Sequence, residues 1–375
     1  MIAAGEASGD QHAAHLVAEL KKLDGGLSFS GLGGPRMSRA GVELYEDLTQ
    51  WAVVGFIEVL KHYLKFKKAF DQFLREAERR KPAAVILVDY PGFNLRLAKE
   101  LKKRGLKVIY YISPQVWAWK ESRVKLIKKV VDKMIVIFPF EKDFYAKHGM
   151  DVAYVGHPIL DSMQVNRPAP QFLRDLGFST GNMTIGILPG SRTGEIERHF
   201  PIMLQAANLL YNQYNKVQFI VFKAPTVDML QMEKFFRPFV ELPIKILHND
   251  VNNGLNACNL CMVASGTATF ETALFEKPMV VVYRTSPFTY FFAKLLMKVR
   301  FIGMVNVLAG RKIVPECVQG NATPKKIVKA LIDIFSDELK IAEIKSELRR
   351  IKEKMGEPGA SKRAAEEILK VLQSS

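Results

Sequence analysis

The sequence predicts an α/β fold in two halves, and three loop segments carry this prediction. GEASGD spans 5–10, LPGSR spans 188–192 and SGTATFE spans 265–271. Each joins an apolar, strand-like run to a helical pattern through small residues, and such loops bring backbone N–H groups and a helix N-terminus up to a phosphate. Because one loop lies in the first half and two lie in the second, we expect two nucleotide-binding halves that share a phosphorylated ligand.

The first half alternates apolar strands with helical patterns. We predict helices from Gln11 to Leu23 and from Val53 to Arg80, and strands at Ile2 to Ala4, Leu27 to Ser30, Ala84 to Asp89, Lys107 to Ile112, Lys133 to Ile137 and Ala153 to Val155. This order predicts a parallel sheet with right-handed crossovers, as in Rossmann-like domains. Since the first strand is shorter than the usual ~5 to 6 residues, we expect the natural chain to begin a few residues upstream of Met1.

The second half repeats the alternation after a break. The segment from Asp161 to Thr180 contains Pro168 and Pro170 and is the predicted linker. Beyond it we predict strands at Thr184 to Leu188, Val217 to Phe222, Ile244 to Leu247, Asn259 to Val263 and Met279 to Val282. The residues after 336 are charged and helical, and GEPGA at 356–360 separates two predicted helices.

Length and composition narrow the class of protein. With 375 residues, 48% of them apolar, the chain exceeds one ordinary core, so two domains are expected. Arg284 and Lys294 interrupt the longest apolar stretch before it reaches the ~18 residues of a membrane-spanning helix. The amino terminus lacks the basic and long apolar regions of a signal peptide. We therefore expect a cytoplasmic protein.

Three cysteines, Cys258, Cys261 and Cys317, fit a reducing compartment and exclude a disulfide framework. The first two read C-x-x-C, a spacing that redox and metal sites use. The surrounding ACNLCMVAS reads as a buried strand, on which residues i and i+3 point to opposite faces. We therefore expect neither a metal site nor a redox site there.

The net charge of +16 predicts an acidic partner. The candidates are nucleic acid, anionic lipid and a phosphorylated substrate. Much of the charge is local, at 61–68, 120–133, 294–300 and 340–354. The sequence contains no zinc-knuckle pattern and no basic-aromatic RNA-binding motif, so we expect no nucleic-acid partner.

Nine segments, taken together and in this order, resemble the lipid-A-disaccharide synthase family over nearly the whole chain. They are GEASGD, GLGGPRM at 31–37, VDYPGFN at 88–94, SPQVWAWK at 113–120, FPFEKDFY at 138–145, VGHP at 155–158, LPGSR, SGTATFE and NVLAGR at 306–311. The resemblance implies an inverting glycosyltransferase of the GT-B architecture, with two Rossmann-like domains facing across a cleft and no metal or redox cofactor.

The resemblance also implies the reaction and the division of the chain. A 2,3-diacylglucosamine moves from UDP to the 6-hydroxyl of 2,3-diacylglucosamine 1-phosphate, called lipid X, giving a β-1,6-linked lipid A disaccharide 1-phosphate and UDP. Residues 1–160 form the acceptor and membrane-facing domain, 161–336 the UDP-sugar domain, and 337–375 helices that return to an amino-terminal domain. Exchange of that tail between two copies gives a homodimer as a further expectation.

The donor site is expected on the loops of the second half. Gly190 and Ser191 allow close backbone approach, and Arg192 is suited to clamp a diphosphate with two parallel hydrogen bonds. The alternative is an arginine on a surface turn. By resemblance, the pyrophosphate contacts Ser265, Gly266 and Thr267, the uridine ribose contacts Glu271, and the sugar or phosphate contacts Asn306 and Arg311. A glutamate in the first turn also suits the helix dipole.

Asp89 is the predicted general base. It ends the apolar strand VILVD, and attack by a sugar hydroxyl needs a group to take its proton. The alternative is that it caps the next helix. The resemblance agrees with a base, because Asp89 matches the aspartate of the family motif D-x-P-x-F-N; some relatives have a second aspartate where this chain has Gly92.

The first loop is expected to line the acceptor side. Its members are Glu6, Ser8, Gly9 and Asp10, and the two carboxylates are the rival bases. His157 is a further candidate for the site, although a lone loop histidine is more often structural. Trp117 and Trp119 suit either stacking on a sugar or acyl chain or packing in the core.

A membrane surface is predicted on the long helix that begins near Val53. Apolar Phe56, Leu60 and Leu64 alternate with basic residues that include Lys65 and Lys68, as an interfacial helix requires. A similar patch spans 288–301. Because both substrates are acylated, these patches would place the protein peripherally on the anionic cytoplasmic face of the inner membrane. The alternative is an ordinary core helix with snorkelling lysines.

Rival functions of two classes remain. UDP-N-acetylglucosamine 2-epimerase and the transferase that completes lipid II share the two-domain architecture and a similar GT-x-x-E turn, but they lack VDYPGFN followed by SPQVWAWK. A non-catalytic membrane-binding or nucleic-acid-binding module is supported only by the net charge of +16.

Overall fold

The computed structural model describes residues 1–51, 56–119, 121–286, 290 and 300–373, and the side chains of these residues other than 50–63, 118 and 119. Within it the chain forms two compact units, Met1–Ser162 with Met355–Ser375 and Met163–Lys354. Each unit is a Rossmann-like α/β domain built on a wholly parallel sheet.

The first unit carries seven strands among the described residues: β1 Ile2–Ala4, β2 Phe29–Gly33, β3 Val42–Asp47, β4 Val85–Val88, β5 Val108–Tyr111, β6 Lys133–Val136 and β7 Ala153–Tyr154. Their order in the sheet is β3-β2-β1-β4-β5-β6-β7. Its helices are α1 Ala7–Leu23, α2 Pro35–Arg39, α3 Phe56–Arg80, α4 Pro91–Lys103, α5 Val116–Trp119, α6 Val124–Val130 and α7 Pro139–Ala146. Strands β1, β4 and β5 are buried on both faces, which explains their continuous apolar sequence.

The second unit carries six strands among the described residues: β8 Met183–Leu188, β9 Val217–Phe222, β10 Ile244–Leu247, β11 Leu260–Ala264, β12 Met279–Tyr283 and β13 Glu316–Val318. Their order is β10-β9-β8-β11-β12-β13, which repeats the order of the first sheet. Its helices are α8 Ala169–Asp175, α9 Thr193–Gln213, α10 Met229–Phe236, α11 Val251–Ala257, α12 Thr267–Leu274, α13 Met304–Ala309, α14 Pro324–Phe335 and α15 Glu338–Lys354.

The carboxyl-terminal helices divide differently from the prediction that 337–375 return together. Helix α15 belongs to the second unit, where it packs on α12 and α14. Only the last helix, α16 Ala360–Gln373, returns to the first unit, where it packs on α1. The predicted linker likewise contains a helix, α8, which packs on α11.

The start of α16 is held by a residue two hundred positions earlier. The Asp161 carboxylate accepts hydrogen bonds from the backbone N–H groups of Gly359, Ala360 and Ser361 at 2.6, 3.1 and 2.8 Å. A helix N-terminus has such unsatisfied donors, and a carboxylate there is stabilising. In addition, the Arg363 guanidinium donates to the Val155 carbonyl at 2.7 Å. The last helix is therefore fastened to the end of the first unit's sheet.

Candidate functional site

The predicted loops lie at the point where the strand order of each sheet reverses. In the first sheet β1 pairs with β4, with Ala4 opposite Val88, so the first loop and Asp89 leave the sheet side by side. In the second sheet β8 pairs with β11, with Leu188 opposite Val263, so LPGSR and SGTATFE are neighbours in the same way. Ligands of open parallel sheets collect at such reversal points, beyond the carboxyl ends of the strands.

Asp89 sits in a tight turn between β4 and α4. It is half-buried, and both it and Tyr90 have left-handed backbones, with φ of 46° and 49°. The Tyr90 ring covers the first loop so closely that a methyl group on Gly5 would lie 2.1 Å from the ring. Glycine at position 5 is therefore needed for the two loops to meet.

The first loop leads directly into α1. Glu6 is the N-cap residue of that helix and is half-buried, like Ser8. Gly9 is buried, and a methyl group there would lie 3.6 Å from the Ala4 side chain. This loop therefore runs beside the Asp89 turn, with Glu6 and Ser8 partly accessible.

Asp10 does not fit the predicted role as a rival base or acceptor contact. Its side chain is 2% exposed and accepts hydrogen bonds from the N–H groups of Gly34, Arg36 and Met37, at 2.9, 3.0 and 3.0 Å. It thereby satisfies the unpaired donors at the start of α2. Because both carboxylate oxygens are occupied inside the fold, Asp10 organises the GLGGPRM turn.

A buried carboxyl group near the same sheet edge was not singled out from the sequence. Glu141, in the first turn of α7, is 1% exposed and accepts from the N–H groups of Ile137 and Phe138 at 3.2 and 3.0 Å. Burial raises its pKa to about 7, against the lowering effect of these hydrogen bonds. The FPFEKDFY motif therefore caps its own helix.

His157 and Trp117 both pack against phenylalanine rings of the first unit. His157 is buried, its Nδ1 accepts from the Ile159 N–H at 3.2 Å, and its ring lies 5.2 Å from that of Phe138. Burial lowers the pKa of His157 well below its usual value, so it is neutral. Trp117 packs edge-on against Phe140 at 5.0 Å, and the side chain of Trp119 lies outside the described residues.

The LPGSR loop contains a charge arrangement that the sequence analysis missed. Gly190 has φ of 121°, a conformation that favours glycine. The Glu195 carboxylate accepts from the Ser191 N–H at 2.9 Å and from the Arg192 guanidinium at 3.0 Å. An N–H group and an arginine converging on a carboxylate form the kind of site that holds a phosphate oxygen.

His199, on α9, ties this loop to the end of β12. Its two ring nitrogens lie 3.3 Å from the Pro189 carbonyl and 2.9 Å from the Arg284 N–H. The nitrogen that faces the Arg284 N–H also lies 3.1 Å from the Arg284 carbonyl. Burial lowers the pKa of His199, which favours the neutral ring. Because its partners lie ten and eighty-five residues away, no local sequence pattern predicts this contact.

SGTATFE forms the turn from β11 into α12. The Ser265 hydroxyl donates to the Ile302 carbonyl at 3.0 Å, Gly266 and Thr267 are exposed, and Thr269 donates to the Gly266 carbonyl at 2.7 Å. Glu271 is half-buried one turn along α12. This turn lies beside LPGSR because β8 and β11 pair.

Asn306 does not fit its predicted role as a contact to sugar or phosphate. It is fully buried, its amide donates to the Val314 carbonyl and to Glu316, each at 2.9 Å, and its oxygen accepts from the N–H groups of Ile313 and Val314. Both amide hydrogens are therefore used inside the second unit, by the loop and by the start of β13. Arg311 is 54% exposed and pairs with Glu347 of α15 at 2.8 Å.

The residues predicted to face a membrane are described only in part. Leu64 is 76% exposed, and Lys65 and Lys68 are exposed beside it. The side chains of Phe56 and Leu60, and most of the second patch at 288–301, lie outside the described residues. Within the described residues, no helix combines the length and apolarity needed to cross a membrane.

The C-x-x-C pair is arranged differently from the prediction. Cys258 precedes β11 and Cys261 lies on it, and both sulfurs approach Gly186, where a methyl group would lie 3.1 and 2.8 Å from them. The two thiols therefore share one buried space and do not point to opposite faces. Burial raises the pKa of Cys258 well above its usual value. Among the described side chains no group of three or more His, Cys, Asp or Glu is placed to hold a metal ion.

Comparisons with known proteins cover the whole chain. A family model described as lipid-A-disaccharide synthetase matches residues 1–371. Lipid-A-disaccharide synthase of Geobacter metallireducens is 41% identical over 372 residues, covering 99% of this chain and 97% of the relative. That of Syntrophus aciditrophicus is 39% identical over 375 residues, covering 100% and 98%.

Two solved structures resemble the fold at low identity. UDP-N-acetylglucosamine 2-epimerase from Neisseria meningitidis matches with a TM-score of 0.63 and 13% identity, covering 98% of each chain. MurG from Acinetobacter baumannii matches with a TM-score of 0.58 and 17% identity, covering 99% of this chain and 98% of that one. At these identities the likeness shows the GT-B fold alone.

Proposed function

Because this chain belongs to the lipid-A-disaccharide synthase family and is a glycosyltransferase of lipid A biosynthesis, we propose that it moves 2,3-diacylglucosamine from UDP to the 6-hydroxyl of lipid X. The products are the β-1,6-linked disaccharide 1-phosphate and UDP. One observation supports this most: the reversal point of the first sheet has a group that could deprotonate the acceptor, and that of the second has groups that could bind the diphosphate of the donor. The first has a carboxylate, Asp89, and the second has the phosphate-binding arrangement of Ser191 and Arg192.

The proposed mechanism is a single displacement with inversion. Asp89 accepts the proton of the 6-hydroxyl as its oxygen forms the bond to the anomeric carbon and the bond to UDP breaks. The diphosphate leaves with negative charge, which Arg192 and the N–H groups after β8 and β11 stabilise. No residue forms a covalent bond to the sugar. Glu271 is proposed to bind the ribose, and Arg311 to reach the sugar or phosphate once it leaves Glu347.

The test is an assay of UDP release with purified protein and UDP-2,3-diacylglucosamine, with and without lipid X. We expect UDP and a disaccharide 1-phosphate to appear only with lipid X, and the new linkage to be β by NMR. An epimerase would change UDP-N-acetylglucosamine without any acceptor, and a binding module would release no UDP. Either result would contradict the proposal.

We also propose that α3 places the protein peripherally on the cytoplasmic face of the inner membrane, where both acylated substrates lie. The part of this helix whose side chains are described, 64–80, has two sides. Ala69 and Phe73 are fully buried in the core, whereas Leu64, Lys65 and Lys68 are exposed. An apolar residue flanked by lysines on one side of a helix suits an anionic bilayer surface.

Changing Lys65 and Lys68 together to Gln is expected to weaken binding to anionic vesicles by about 2 kcal/mol, since each basic residue near such a surface contributes about 1 kcal/mol. Leu64→Ser should weaken it further, and high salt should mimic the lysine changes. Vesicle sedimentation measures the effect.

The matched control is Leu339→Ser with Lys345→Gln on α15, where both side chains are also exposed. This control should bind as the unchanged protein does. Equal losses in both proteins, or no loss in the α3 variants, would contradict a membrane surface on α3.

A further inference from the structure

The turn that carries Asp89 is strained. Asp89 and Tyr90 follow one another with φ of 46° and 49°, and neither is glycine. Side chains with a Cβ adopt this left-handed region at a cost in free energy, and two in succession persist only where the surroundings hold them. Such strain is concentrated at functional sites.

The Asp89 peptide is held from both sides. Its N–H donates to the Tyr111 carbonyl at 3.0 Å, continuing the pairing of β4 with β5. Its carbonyl accepts two hydrogen bonds, from the Asn94 amide at 2.7 Å and from the Tyr110 hydroxyl at 2.6 Å. The Asn94 amide also donates to the Val88 carbonyl at 3.1 Å.

Tyr110 restrains this peptide through its side chain. It lies on β5, it is completely buried in the core of the first unit, and its hydroxyl reaches the turn that follows the neighbouring strand β4. Burial first, and the nearby Asp89 carboxylate second, raise the pKa of the Tyr110 hydroxyl well above its usual value. The hydroxyl therefore remains protonated and acts as a donor.

We propose that Tyr110 is a positioning residue for glycosyl transfer, because its hydroxyl fixes the Asp89 carbonyl and thereby keeps the strained turn in the conformation that presents the Asp89 carboxylate. The inference rests on the proposed role of Asp89 as the base. Without the Tyr110 hydroxyl, the Asp89–Tyr90 peptide can rotate toward an unstrained conformation, and the carboxylate then spends less time in the orientation for proton transfer. A geometric error of this kind lowers kcat more than substrate affinity.

The adjacent residue on the same strand supplies a matched control. Tyr111 is as completely buried as Tyr110, but successive side chains of a strand point to opposite faces. The Tyr111 hydroxyl is directed toward Ser361 at the start of α16, away from the Asp89 turn. Tyr110→Phe and Tyr111→Phe each remove one buried hydroxyl, and only the first removes a contact to Asp89.

The experiment compares these variants in the full-length protein with both acylated substrates. Tyr110→Phe should lower kcat about three- to tenfold, the size expected for loss of one hydrogen bond, with both KM values within about twofold of the unchanged protein. Tyr111→Phe should keep its kcat. Asn94→Ala removes the other donor to the Asp89 carbonyl. It should lower kcat by a similar factor and leave both KM values nearly unchanged. Equal kcat for Tyr110→Phe and the unchanged protein would overturn the inference.

A double-variant cycle separates positioning from general stability. If Tyr110 acts through Asp89, then Tyr110→Phe should lower kcat much less in an Asp89→Asn background, because the group being positioned has lost its basic oxygen. An undiminished loss there would overturn the inference. Failure of the proposed function is distinguishable, since Asp89→Asn alone would then keep its rate whatever Tyr110 does.

Discussion

Asp89→Asn is expected to lower kcat by about 10² to 10⁴, the usual contribution of a general base, with donor affinity nearly unchanged. Asparagine keeps the shape and the hydrogen-bonding capacity of the side chain but cannot take the proton of the 6-hydroxyl. It also tolerates the left-handed backbone of this position better than most residues. The strained turn should therefore survive, so that the loss reports chemistry and not folding.

The measurement is single-turnover and steady-state kinetics with saturating acceptor, together with UDP affinity by calorimetry. Glu6→Gln is the informative comparison, because Glu6 is the other partly accessible carboxylate at this reversal point. If Asp89→Asn keeps more than about a tenth of the rate while Glu6→Gln loses it, the base is Glu6. Asp10→Asn would be uninformative, since that carboxylate holds the start of α2.

Arg192→Ala is expected to weaken binding of UDP and of the donor by about 1.5 to 3 kcal/mol, the range for hydrogen bonds to charged groups. Because Arg192 pairs with Glu195, we expect a loss of binding free energy in the upper part of this range. With the guanidinium removed, the Glu195 carboxylate stays 2.9 Å from the Ser191 N–H and would repel an incoming phosphate. Arg192→Lys should recover little, because a lysine lacks the forked pair of donors.

Calorimetric titration with UDP tests this expectation. Arg349→Ala is the control, because Arg349 is an exposed arginine of the same unit that pairs with Glu276 at 2.9 Å. The control should bind UDP as the unchanged protein does. Unchanged UDP affinity in Arg192→Ala would remove Arg192 from the donor site.

The central strands could be predicted because burial on both faces requires continuous apolar runs, as in VILV of β4 and FIVF at the end of β9. The edge strands β3 and β13 were not predicted, because neither contains a long apolar run. β3 reads VELYED and is mostly half-exposed, and β13 has only three residues. The family resemblance and the fold class are confirmed by the family match and by the two parallel sheets.

The loops of the candidate site could also be predicted, because each follows an apolar strand directly. Their supporting contacts could not, because they join residues far apart in the chain. Asp10 and Asn306 show the limit most clearly: each looked like a ligand-binding group, and each is occupied by backbone groups of a neighbouring turn. A motif identifies where polar side chains gather, but only the folded contacts show which of them remain accessible.

The return of α16 to the first unit has a consequence for the order of folding during synthesis. The second unit is one continuous stretch from Met163 to Lys354, so it can fold as soon as that stretch has left the ribosome. The first unit is completed only by the final helix, whose Ala364 and Ile368 are buried and which packs on α1. The unit that contains Asp89 is therefore synthesised first and completed last.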